Sequence, residues 1–338
     1  AADTTGAHDD HAFFRQLNIP EPDIDLGVGS GTHAVQTAEI MRRFEPVLDD
    51  LMPDLVLVVG DVNSTIACAL VASKKDIAVV HVEAGLRSGD RRMPEEINRV
   101  LTDQISDLLF TTEPDGESNL LREGVAPQRI HFVGNVMIDT LLANRERAVP
   151  AAQTLAGIPG FSANDGSFGV LTLHRPSNVD DPAVLRRLLE TLVELSERVP
   201  LVFPIHPRTR ARIAEAGLNS LLERSRFGLT EPLGYLQLLG LMSEARLVLT
   251  DSGGLQEETT ALGVPCITLR ENTERPITAT QGTNTIVGTD VRKIKACFDD
   301  VLATGGKAGR VPALWDGRAA ERIAAQLIEW ANSRGLAA

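Results

Sequence analysis

Cysteine is scarce in this chain. The three present, Cys68, Cys266 and Cys297, lie far apart and form no CxxC pair, which argues against a disulfide framework and against a cysteine zinc site. Cys68 and Cys266 sit in apolar runs and read as core residues. No apolar run approaches the roughly 20 residues needed to span a bilayer, and no signal-peptide pattern opens the sequence. A reducing cytoplasm is the expected setting. Walker A, HExxH and Gly-x-Ser-x-Gly motifs are all missing. Gly27-Val28-Gly29-Ser30-Gly31 lacks the GxGxxG spacing and follows no convincing strand, so no nicotinamide cofactor is expected. Asp23-Ile24-Asp25, set among prolines and glycines, reads as a turn rather than a metal site. Positive charge is also short: 33 basic residues face 46 acidic ones, a net charge of −13. That field repels nucleic acid. A small anion held at a helix N-terminus is still compatible with it.

What is present is an alternation of short apolar runs and longer helical patterns. At 338 residues and 43% hydrophobic, the chain is too long for one ordinary core. The runs Leu55–Val59, Ala78–Val82, Leu108–Phe110, Ile130–Val133, Phe168–Leu173, Leu201–Ile205, Arg246–Thr250 and Pro265–Leu269 are continuous rather than alternating. Strands buried on both faces of a parallel sheet have that pattern. Helices are expected over Asn63–Lys75, Glu95–Asp107, Pro182–Arg198, Leu255–Gly263 and Arg318–Asn332. The Ala-, Pro- and Gly-rich segment Arg147–Gly166 reads as a linker between two doubly wound α/β domains.

Parallel sheets bind ligands outside the carboxyl ends of their strands, and ionisable residues gather there. Asp61 and Glu83 follow the first two runs. His174, His206 and Asp251 follow runs in the second half. Pro94 opens a helix whose first turn carries Glu95, where a dipole-complementing role competes with a functional one. Asp61 has a helix cap as its plain alternative. Thr250-Asp251-Ser252-Gly253-Gly254 runs from strand to helix, and its backbone N–H groups suit a pyrophosphate. Arg275, fixed in extended geometry before Pro276, is placed to reach a phosphate.

Together these stretches resemble the non-hydrolysing UDP-N-acetylglucosamine 2-epimerases in order and spacing. The resemblance is carried by Thr5-Gly6-Ala7-His8, VGDVNST from Val59, HVEAGLRSGD from His81, MPEEINR from Met93 and FVGNVMID from Phe132. It continues in LTLHRPSNVD from Leu171, TDSGGLQEE from Thr250 and RENTERP from Arg270. It implies a GT-B architecture, two Rossmann-like doubly wound parallel-sheet domains around a central cleft. Residues 1–146 and 147–316 would form the domains, and the helix of 317–338 would return to the first. It implies a UDP-sugar substrate, no metal or other cofactor, and a homodimer. Asp61, Glu83 and Glu95 would act at the sugar, with His174 and Arg275 stabilising the leaving diphosphate. Ser252, Gly253 and Gly254 would supply backbone donors, Glu258 would grip the ribose, and His206 would join the same pocket.

Two departures stand out. The family's usual Gln between Gly6 and His8 is Ala7. The family's opening strand and Gly-Thr-Arg-Pro-Glu loop have no counterpart here, so the first βα unit either precedes this sequence or is lacking. A glycosyltransferase of the same fold, a hydrolysing epimerase, an epimerase of a diacetamido uronate and a non-catalytic UDP-sugar binder remain alternatives at this stage.

Overall fold

The computed structural model describes residues 16–159, 161, 168–223 and 225–335. Contacts divide the chain into two units. One runs to Asp139 and takes up the chain again from Ala313; the other is Thr140–Pro312. No helix among the described residues is long and apolar enough to cross a membrane.

Among the described residues, the first unit holds a parallel sheet of four strands: β1 (Leu55–Val59), β2 (Ala78–Ala84), β3 (Leu108–Thr111) and β4 (Ile130–Phe132), in that order. Val79, Val80, Leu109 and Phe110 are fully buried, as continuous apolar runs require. The last helix, Ala319–Ser333, packs Ile323, Leu327 and Trp330 against Val80, Val82, Leu108, Phe110 and Val133. Asp139 accepts from Ala319 N at 3.1 Å and from Ala320 N at 2.7 Å, satisfying two first-turn amides of that helix.

The second unit holds β5 (Gly169–Thr172), β6 (Leu201–Pro204), β7 (Phe227–Thr230), β8 (Leu247–Thr250), β9 (Cys266–Thr268) and β10 (Asn284–Ile286). Their order is β10-β9-β8-β5-β6-β7, all parallel. This is the two-way winding of a dinucleotide-type sheet, and the order reverses between β5 and β8. Alternate residues serve opposite faces. Leu171 and Leu249 join the core under the helices Pro182–Ser196 and Val291–Thr304, whereas Val170 and Val248 join the core under Tyr235–Glu244. Helix Pro182–Ser196 starts where Asp181 accepts from Ala183 N and Val184 N, and Leu185, Leu188, Leu189 and Leu192 recur at helical spacing and are fully buried.

Three expectations need correction. Arg147–Gly166 is not a free linker where it is described. Ala151–Leu155 is a helix, and Ala151, Leu155 and Ile158 belong to a core of the second unit. Contacts place the division at 139/140, inside helix Val136–Asn144, close to the expected 146/147. The return to the first unit begins at Ala313, not residue 317, because Trp315 Nε1 already donates to Thr112 O at 3.0 Å. Strands β7 and β10 add to the eight read from apolar runs. They are short, and Gly228 and Asn284 interrupt their apolar character.

The cysteines behave as small apolar groups. Burial pushes the Cys68 and Cys266 thiols up to about 11.

The return segment supplies a test. Gly134 has φ 93, and a Cβ there would lie 2.1 Å from Leu314 O. Gly134→Ala is expected to lower stability by about 2–5 kcal/mol, combining left-handed strain with overpacking. A lowered urea midpoint with unchanged slope is the readout; an unaltered midpoint would show that the return segment is not fixed there.

Candidate active site

In the first unit, β1 passes into a turn at Gly60 (φ 70), whose N–H donates to Val82 O at 3.1 Å. The helix Asn63–Lys74 follows, with Val62 at its cap position and no side-chain cap bond. Asp61 is thus not consumed as a helix cap. It meets a buried arginine instead: Arg99 Nη2 lies 2.7 Å from Asp61 Oδ2, and only 2% of the Arg99 side chain is exposed. Asn98 Nδ2 also donates to the Asp61 carbonyl at 2.9 Å.

Glu83 lies inside β2 rather than after it, at φ 68. The pairing of β2 with β3 shifts register between Val82 and Ala84. A bulge of this kind re-aims a side chain. A left-handed glutamate costs about 1–2 kcal/mol, and such strain persists only where neighbours enforce it. Glu95 stands in the first turn of helix Pro94–Ile105, with Arg99 one turn further along the same face. Glu96 faces a different task. Its carboxylate accepts from Ser88 N at 3.0 Å and Gly89 N at 2.8 Å, fastening the loop between β2 and this helix. Asp61, Glu83 and Glu95 therefore all come from segments at the carboxyl end of one parallel sheet.

In the second unit, the order reversal puts the ends of β5 and β8 side by side. Asp251, following β8, has no exposed surface. It accepts from His174 N at 3.0 Å, Arg175 N at 2.9 Å and Asn178 Nδ2 at 3.1 Å, and lies 2.8 Å from His174 Nδ1. Its role is to tie the loop after β5 to the loop after β8. The pairing occupies His174 Nδ1 and leaves Nε2 for a ligand, with 39% of the side chain exposed. Burial alone would raise the Asp251 carboxyl, but the hydrogen bond and charge of His174 and the amides of Arg175 and His174 hold it below the usual range. His206 caps helix Pro207–Glu215 by accepting from Arg208 N at 3.2 Å, and its ring centroid is 6.2 Å from that of His174.

The helix Gly253–Leu262 begins right after Ser252, whose side chain makes no cap bond. Its first turn opens at the end of β8, where the sequence places a candidate anion-binding element. A Cβ at 253 would stand 2.4 Å from Glu274 Oε1 and 2.7 Å from Arg275 Nη1, so a larger residue there would have to push both buried side chains aside. Arg275 is buried over that turn, 2.7 Å from Glu257 and 2.6 Å from Glu274. Gly254 is the second residue of the helix. Glu258, on its buried side, accepts from the Tyr235 hydroxyl at 3.0 Å. Burial, with the Glu257 charge beside it, pushes Glu258 up to about 7 against that hydrogen bond.

The structure gathers Asp61, Glu83 and Glu95 in one unit and His174, His206, Ser252, Gly253, Gly254, Glu258 and Arg275 in the other. Sequence reading missed Arg99, whose signal was its spacing of four from Glu95. It also missed Asn178, which bridges Asp251 and Leu269 O and gave no signal beyond its place in the His174 motif. The stretch Thr5–His8, with Ala7, lies outside the described residues.

Asp251→Asn is expected to cost about 3–5 kcal/mol, because it sets an amide among donors that need a carboxylate. The sign of the pH effect follows from the lowered folded-state value. The Asp251 contribution is present above the ordinary carboxylate range of about 4 and is lost as pH falls through the folded value. Urea midpoints between pH 7 and pH 2 should therefore fall less steeply in the variant; parallel curves would contradict this.

A profile of the UDP-N-acetylglucosamine 2-epimerase family matches residues 4–328. A UDP-N-acetylglucosamine 2-epimerase of Methanocaldococcus jannaschii is 46% identical over 296 residues, covering 87% of this chain and 81% of its own length. The UDP-2,3-diacetamido-2,3-dideoxy-D-glucuronate 2-epimerase of Pseudomonas aeruginosa is 43% identical over 291 residues, 84% of this chain and 78% of its own. The crystal structure of the M. jannaschii UDP-GlcNAc 2-epimerase in complex with UDP-GlcNAc and UDP matches 95% of this chain and 88% of that one, with a TM-score of 0.86 and 42% identity. The fold is of the GT-B class, with two Rossmann-like parallel-sheet units. Sequence motifs, sheet order and these likenesses agree: the chain belongs to the UDP-N-acetylglucosamine 2-epimerase family.

Proposed function

We propose that this protein is an isomerase interconverting UDP-N-acetylglucosamine and UDP-N-acetylmannosamine by elimination and re-addition of UDP. The observation that carries the reading is the trio Asp61, Glu83 and Glu95 at the carboxyl end of one sheet, with Asp61 ion-paired to Arg99 at 2.7 Å. Family membership supports the substrate class.

The chemistry explains why carboxylates are needed. The C2 hydrogen of the sugar has no adjacent carbonyl, so direct deprotonation is too slow. Breaking the C1–O bond sends its electron pair to the departing UDP and gives C1 oxocarbenium character, which makes the C2 proton acidic. A carboxylate takes that proton, and the C–H electron pair becomes the C1–C2 double bond of a glycal. A proton delivered to the opposite face of C2, with return of UDP to C1, completes the inversion. Asp61, Glu83 and Glu95 supply the base and the acid. His174 Nε2, Arg275 and the amides following Ser252 stabilise the charge growing on the diphosphate. Glu258 and His206 complete the nucleotide contacts. UDP is retained between the two steps.

A glycosyltransferase of the same fold would need an acceptor site and has no use for three such carboxylates. A second reading keeps the chemistry and changes the sugar to a UDP-diacetamido-uronate, favoured by the 43% identity to the P. aeruginosa enzyme. The family resemblance supports a homodimer working in the cytoplasm.

Purified protein given UDP-N-acetylglucosamine alone should yield UDP-N-acetylmannosamine by proton NMR. Free sugar with UDP would instead establish hydrolysis. Turnover only of the diacetamido uronate would establish the second reading. Glu83→Gln should lower turnover by about 10²–10⁴-fold while UDP binding, measured by calorimetry, is largely kept. Near-normal activity would remove Glu83 from the mechanism.

A further inference from the structure

Glu83 holds a backbone conformation that glutamate avoids, and one fully buried pair brackets it. His81, two residues before, and Gly85, two residues after, both bond to Asp103. His81 Nδ1 lies 2.6 Å from Asp103 Oδ1, and Gly85 N donates to Asp103 Oδ2 at 3.1 Å. The other ring nitrogen, Nε2, donates to Gly60 O at 2.8 Å, in the turn just before Asp61. His81 and Asp103 are both fully buried. The far side of the bulge is held as well: Asn119 Nδ2 donates to Gly85 O at 2.9 Å, and a Cβ on Gly85 would lie 2.4 Å from Gly116 O.

The protonation state follows from the partners. The Gly60 carbonyl can only accept. Asp103 already accepts from Gly85 N and lies 2.7 Å from Arg87 Nη2, so it too is an acceptor. Both ring nitrogens of His81 must therefore carry hydrogen. We propose that His81 and Asp103 are a positioning pair that clamps the Glu83 bulge and the Gly60 turn, so that two site carboxylates are aimed by one buried proton.

The surrounding charges are consistent with this. Burial alone would lower the His81 value, but the hydrogen bond and charge of Asp103, the Gly60 carbonyl and the nearby Glu83 charge raise it above the ordinary value. Arg87, which shares Asp103, is in turn paired with Glu123 at 2.6 Å. Loss of one His81 ring hydrogen at alkaline pH would break its bond to the Gly60 carbonyl or to Asp103, loosening the turn or the bulge and giving turnover an alkaline limb. Neither residue touches the sugar in this account, and the activity readout rests on the epimerase reading above.

Two measurements test the pair. Imidazole nitrogen spectra of the wild-type protein between pH 6 and 9 should show His81 doubly protonated at pH 7, and a neutral ring would overturn the proposal without reference to activity. Asp103→Asn, close in shape, should shift the amide resonances of Gly60, Glu83 and Gly85 and lower kcat about 100-fold, as expected for a small misplacement of a reacting group. KM and UDP affinity should change far less, and the alkaline limb should move to lower pH. A variant that melts earlier yet keeps wild-type kcat and pH profile at permissive temperature would reduce the pair to a structural role and overturn the proposal. His81→Asn should reproduce the kcat loss. If the wild-type protein shows no epimerisation, the functional reading fails, and the His81 spectrum with the amide shifts still decides the clamp.

Discussion

A buried carboxylate must collect donors from whatever backbone lies within reach, and in each unit of this protein that need organises the candidate functional residues. Asp251 in one and Asp103 in the other have no exposed surface. An unpaired charge in such a place would cost several kcal/mol. Each aspartate therefore draws in a histidine and one or more loop amides. These segments end strands or begin helices at the carboxyl end of a parallel sheet, so satisfying the aspartate also fixes the geometry of neighbouring functional groups. His174 is oriented through Nδ1, and the Glu83 bulge is held on both sides.

The topology makes this possible. In the second unit the strand order reverses between β5 and β8, and helices leaving their two ends diverge to opposite faces of the sheet. Asp251 and His174 meet at that divergence, next to the glycine-rich start of helix Gly253–Leu262. Among the described residues of the first unit, the strands succeed one another without reversal. The site there is assembled from consecutive βα turns, which is why Asp61, Glu83 and Glu95 occur within a short stretch of sequence.

Much of this was legible in the sequence. Continuous apolar runs announced parallel strands because both of their faces are covered, as at Val79–Val80 and Leu109–Phe110. Helices such as Pro182–Ser196 announced themselves through a capping aspartate, a proline and leucines at helical spacing. The acids and histidines at strand ends followed from the same rule. Strands β7 and β10 were not legible, because three or four residues containing Gly228 or Asn284 carry too little pattern. The 147–166 segment misled because its composition suits a linker, while Ala151, Leu155 and Ile158 are apolar enough to join a core. The pairing of Asp61 with Arg99 and the left-handed backbone of Glu83 depend on tertiary register, which no local pattern encodes. Asp251 appeared as one of a row of strand-end ionisable residues; only its burial shows that it serves other residues rather than a ligand.

The proposed reaction exchanges a proton at C2 of the sugar through carboxylates of the first unit. Incubation with UDP-N-acetylglucosamine in deuterated water, followed by NMR, tests this most directly. Deuterium at C2 of the manno product is the predicted result. Inversion with complete retention of the original hydrogen at C2, or no reaction at all in a folded and UDP-binding sample, would contradict it.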